Sequence, residues 1–75
     1  MGRQYNITEE IVKIKFTNKT GFLDFVRIEI QYKDSVITHC YAYIDSEKVF
    51  SFIPLRNTHK RIVIIKVMKN ILERF

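Results

Sequence analysis

The chain has 75 residues, with 13 Lys or Arg against 8 Asp or Glu, a formal charge of +5 and 47% hydrophobic content. That length holds one domain over residues 1–75, with a thin core that removes only about 60% of the unfolded surface from water. The longest aliphatic run, Ile62–Ile65, falls far short of the roughly 20 residues a membrane-spanning helix needs, and the apolar content argues against disorder.

The apolar half is unusual: 12 Ile, 6 Val and 5 Thr stand against 3 Leu and one Ala. β-Branched side chains are stiff at χ1 and suit a pleated, half-buried surface, so the chain reads as mostly sheet. Rich Ile, Lys and Asn with little Ala or Gly also fits AT-rich coding, as in a phage or other mobile element. Residues 1–8 are mostly polar, with Tyr5 and Ile7 among them, and read as a loose lead-in. MGRQYNITEE has no apolar h-region, so no secretory signal is expected. Asn6 stands where N-myristoylation after Gly2 would want Ser or Thr.

In IVKIKF at 11–16, Val12, Ile14 and Phe16 alternate with Lys13 and Lys15, the period of a strand with one wet face. NKTG at 18–21 is a turn. VRIEIQYK at 26–33 alternates more cleanly, and Asp34-Ser35 turns the chain. VITHCYAYI at 36–44 is a third strand, Ser46-Glu47 a second tight turn, and KVFSFI at 48–53 a fourth strand ended by Pro54. In the last segment Lys66, Lys69, Asn70 and Glu73 share one stripe, and Ile64, Val67, Met68, Ile71, Leu72 and Phe75 share another, which predicts a helix capped by Thr58. His59, Lys60 and Arg61 oppose it, placing positive charge at the positive end of the helix dipole.

Opposed residues of an antiparallel pair point to one side. Two-residue loops at Asp34-Ser35 and Ser46-Glu47 would set Ile30 against His39, Ile28 against Tyr41, Val26 against Tyr43, and Tyr43 and Tyr41 against Phe50 and Phe52. One face becomes Val26, Ile28, Ile30, Tyr41, Tyr43, Phe50 and Phe52, buried under the helix. The other becomes Arg27, Glu29, Gln31, Thr38, Cys40, Ala42 and Ser51. In the first hairpin, only an odd-length connection or a bulge within residues 18–25, with Gly21 as its special residue, keeps Val12 and Ile14 on the apolar face opposite Ile28 and Val26. The predicted fold is α+β: a four-stranded antiparallel meander with one C-terminal helix packed on one face.

Catalysis finds little support. Cys40 would need a base, yet His39 is its chain neighbour and points to the opposite face of a strand. A lone cysteine permits no internal disulfide and suits a cytoplasmic setting. No zinc, P-loop or dinucleotide motif occurs, and the reading carries no catalytic residues, no metal and no cofactor. Two basic groups are the candidate partner-binding residues: Lys13, Lys15, Arg27 and Lys33 on the open sheet face, and Arg56, His59, Lys60 and Arg61 before the helix. The expected function is a small non-enzymatic regulatory or inhibitory protein acting through protein contacts. The alternative is nucleic-acid binding through the basic sheet face and the 56–61 loop. Edge-to-edge self-association near Val36, Val49 and Ile53 is a third reading.

Overall fold

The computed structural model describes residues 6–75. The order is β1 (Ile7–Thr17), β2 (Leu23–Lys33), β3 (Val36–Ile44), β4 (Glu47–Phe52) and α1 (Lys60–Arg74). The strands form one antiparallel meander in sequence order, and α1 packs on one face of it. The expected α+β architecture is therefore present. The loose lead-in is corrected at its end, since β1 already includes Ile7 and Thr8. Residues 1–5, with the readings made on Gly2 and Tyr5, lie outside the described residues.

The first hairpin closes as the alternation requires. Val12 opposes Ile28 and Ile14 opposes Val26. Asn18 donates from its backbone N–H to the Phe22 carbonyl, enclosing the odd loop Lys19–Gly21, with Gly21 at φ 89°. This is a type I turn followed by a left-handed glycine. The Asn18 side chain fastens it, accepting from the N–H groups of Thr20 and Phe22 and from the Thr20 hydroxyl.

The other two hairpins turn through Asp34-Ser35 and Asp45-Ser46, all four residues at positive φ between 51° and 68°. Two consecutive left-handed residues make the type I′ turn that matches strand twist. Lys33 opposes Val36 as expected. The second loop lies one residue earlier than the predicted Ser46-Glu47, so that Ile44 opposes Glu47.

Two bulges then overturn the predicted faces of β3. Gln31 opposes His39 while Tyr32 opposes Ile37, leaving Thr38 unpaired as an extra residue. Every β3 residue beyond it changes side: Ile30 opposes Cys40, Ile28 opposes Ala42, and Arg27 opposes Tyr43. Cys40 and Ala42 are fully enclosed in the core with Val26, Ile28, Ile30 and the helix residues Val63, Val67 and Ile71. Tyr41 and Tyr43, expected beneath the helix, lie on the opposite, uncovered face. At β4 the earlier turn and a second bulge at Val49 give Ala42 opposite Phe50 and Cys40 opposite Phe52. The inversions cancel there, so Phe50 and Phe52 do pack against the core.

The helix forms as predicted, with changes at both ends. Its N-cap is His59, whose Nδ1 accepts from Arg61 N–H at 3.1 Å, in place of Thr58. Thr58 instead bonds the Leu55 carbonyl. Val63 joins the buried stripe, while Leu72, expected to face inward, is exposed. Side chains of β1 and its turn compensate for the charge at both ends of α1. Glu10 accepts from Lys60 Nζ at 3.0 Å and from the Tyr32 hydroxyl at 2.8 Å. At the other end Lys19 Nζ bonds the Glu73 carbonyl at 2.6 Å, a cation at the negative end of the dipole.

Candidate functional site

The helix leaves one whole sheet face uncovered. Strand alternation and the two bulges decide what stands on it. The register lines up Lys13, Arg27, Tyr43 and Lys48 in one row across all four strands, and Ile11, Glu29, Tyr41 and Ser51 in the next. Lys15 and Phe25 oppose each other in a third row, and Glu9, Gln31 and His39 form a fourth. Ile7 and Lys33 lie beyond.

Cations and rings interlock on this surface. The Arg27 guanidinium lies 4.7 Å from the centre of the Tyr43 ring and pairs with Glu29 at 3.1 Å. Its Nε is buried and makes no hydrogen bond among the described residues. Lys48 lies 5.4 Å from the Tyr41 ring and Lys15 5.9 Å from Phe25. His39 and Tyr41 stack with their planes within 2° at 6.0 Å between centroids. The Arg27, Lys48 and Lys15 contacts each set a cation against a ring quadrupole. A shallow depression beside Arg27 is lined by Lys13, Phe25 and Tyr43 and by the two carboxylates Asp24 and Asp45.

The eight candidate partner-binding residues fall into separate places. Lys13, Lys15, Arg27 and Lys33 do share the uncovered face. From the second group only Arg56 approaches it, lining a concavity with Lys33 and His39. His59 is the helix cap and Lys60 the partner of Glu10, so both have structural positions. Arg61 sits exposed in the first helical turn. Sequence reasoning missed Tyr41, Tyr43, His39 and Lys48 as members of this surface.

Two other titratable groups lie in or beside the core. Burial pushes the Cys40 thiol up to about 11, a setting opposite to that of a nucleophilic thiolate. Burial, then the bond to Glu10, pushes the Tyr32 phenol up to about 12. The Lys60 and Tyr32 bonds hold the Glu10 carboxyl below its ordinary value. Among the described residues no group of three or more His, Cys, Asp or Glu side chains is placed to hold a metal ion, and no helix is long and apolar enough to cross a membrane. No protein-family model, curated protein or solved structure matches the chain.

Proposed function

We propose that the chain is a small non-enzymatic binding protein whose uncovered sheet face takes single-stranded nucleic acid. The observation that carries this reading is the alternation of rings and cations there: His39, Tyr41, Tyr43 and Phe25 interleaved with Lys13, Lys15, Arg27 and Lys48. Bases unstacked from a duplex find ring surfaces, and the backbone that links them finds positive charge within a few ångströms. Glu9 and Glu29 are the carboxylates in the rows of the face, Glu29 is already paired with Arg27, and Asp24 and Asp45 stand at the rim of the depression beside Arg27. A rigid antiparallel sheet fixes the spacing of the rings.

Fluorescence anisotropy with a labelled oligothymidine and with a duplex of equal length tests the reading. The single strand should bind more tightly. Tyr43→Ala should weaken it roughly tenfold, the effect of losing one stacked base. Lys13→Ala should reduce the slope of log K against log salt by about 0.7. Binding that ignores both substitutions, or no binding at low salt, would overturn the reading.

A protein partner, bound in a regulatory or inhibitory role, is the second reading. Phe22, Leu23 and Phe25 favour it, at 69%, 66% and 57% exposure around the first turn, since clustered exposed apolar side chains mark protein contact sites. Salt separates the two, because an apolar contact is insensitive to it.

A further inference from the structure

The two edges of the sheet differ. β4 is short, bulged at Val49 and followed by Pro54, and Arg74 Nη1 donates to its Val49 carbonyl. β1 pairs with β2 over 11 residues without a bulge, and its run contains no proline. The β1–β2 ladder continues one pair past each end of β1: Asn18 N–H donates to the Phe22 carbonyl, and Asp34 N–H to the Asn6 carbonyl. Both bonds fall on even-numbered β1 positions. Bonded pairs alternate in an antiparallel ladder, so the even residues bond β2. The backbone N–H and C=O groups of Ile7, Glu9, Ile11, Lys13 and Lys15 therefore point away from the sheet.

The same strand is polarised in charge. Glu9 and Glu10 precede Ile11, and Lys13 and Lys15 follow it. Glu10 is engaged with Tyr32 and Lys60 on the helix side, while Glu9, Ile11 and Lys13 stand on the uncovered face. We infer that β1 is a self-pairing edge: two copies of the chain join β1 to β1, antiparallel, about a twofold axis at Ile11. That register opposes Ile11 to its own copy and sets Glu9 of each chain against Lys13 of the other. It matches odd positions to odd, as the outward backbone groups require. An axis at Glu9 or at Lys13 would set like charges face to face. Ile11, 53% exposed in the single chain, gains a cross-strand neighbour in its own copy on its open flank. The product is a continuous eight-stranded sheet with both uncovered faces on one side. This inference rests on the edge of the sheet and is independent of what the face binds.

Analytical ultracentrifugation of the full chain tests it, from micromolar to millimolar concentration. The natural chain should be a dimer at the upper end. Glu9→Lys and Lys13→Glu should each weaken dimerisation by about tenfold or more, since each replaces two opposed pairs by repulsions. The two variants mixed in equal amounts should form a heterodimer, and the double variant Glu9→Lys/Lys13→Glu should regain the homodimer. Both positions are exposed, and circular dichroism should report an unchanged fold. A monomer throughout, or a dimer insensitive to both single substitutions, or failure of the mixture to pair, overturns the inference.

Discussion

At the scale of single residues, the turns show where backbone preference and side-chain identity disagree. Asp34, Ser35, Asp45 and Ser46 all occupy the left-handed region, which costs an L-residue roughly 1–2 kcal/mol. Aspartate tolerates it through local hydrogen bonding, and serine does so less well. Ser35→Gly and Ser46→Gly should each stabilise the fold by about 0.5 kcal/mol, after the loss of glycine's larger unfolded-state entropy. For a domain this size that raises Tm by about 2–4 °C. Gly21 supplies the converse. A Cβ there would meet nothing within 4 Å, so Gly21→Ala should cost about 1 kcal/mol from its φ of 89° alone. Thermal melts of the three variants check both signs, and a Ser35→Gly variant that melts lower would contradict the turn assignment.

At the scale of elements, β3 decides which side chains meet the helix. The extra residue at Thr38 is what sends Cys40, Ala42 and Ile44 inward and Tyr41 and Tyr43 outward. Deleting Thr38 should leave the pairing of Gln31 with residue 39 and of Ile30 with residue 40 intact, and the variant should stay folded. Inserting an alanine between His39 and Cys40 should exchange the two faces, bury both tyrosines in space sized for Cys40 and Ala42, and unfold the domain. Amide NMR spectra of the two variants separate these outcomes; equal tolerance of both changes would refute the register.

Much of this was legible in the sequence. The strict alternation of β2 located that strand, and the need to keep Val12 and Ile14 on one face required the odd loop around Gly21. The helix followed from the spacing of Lys66, Lys69, Asn70 and Glu73. The side of β3 was not read correctly, because ring size pointed to Tyr41 and Tyr43 as core. The sequence signal was isoleucine at both 37 and 44: both are buried in the fold, and residues seven apart on a regular strand cannot share a face. Burying both requires a bulge between them. Small side chains at Cys40 and Ala42 let α1 approach the sheet, a demand that exists only once the helix is placed. The basic sheet residues were legible from alternation, whereas the rings among them depended on the bulge.

At the scale of the whole molecule, the sheet separates two environments. One side holds an apolar core that encloses the Cys40 thiol and has the Tyr32 phenol packed against it. The other holds cations and rings in water. Three groups on the covered side couple folding to protons. Burial raises the Cys40 thiol from 9.0 to about 11 and, with the Glu10 bond, the Tyr32 phenol from 10.0 to about 12. Both groups hold their protons more tightly folded than unfolded. Between those values the unfolded chain therefore carries fewer protons, and stability falls as pH rises. The full contribution is present below pH 9, the Cys40 part is lost on approaching 11 and the Tyr32 part on approaching 12. Glu10 acts with the opposite sign: its carboxyl is lowered from 4.5 by Lys60 first and Tyr32 second, so its contribution is present above that value and is lost as pH falls below it. Urea midpoints measured across the pH range should form a plateau bounded by a steep alkaline limb and a shallower acid one, the latter weak because the Glu10–Lys60 pair is about 40% exposed. Cys40→Ala should remove the part of the alkaline fall that begins near pH 9, even though the cavity it leaves lowers the plateau itself. An alkaline limb of unchanged slope in that variant would place Cys40 in water, and with it the face of β3 that the bulge at Thr38 assigns to the core.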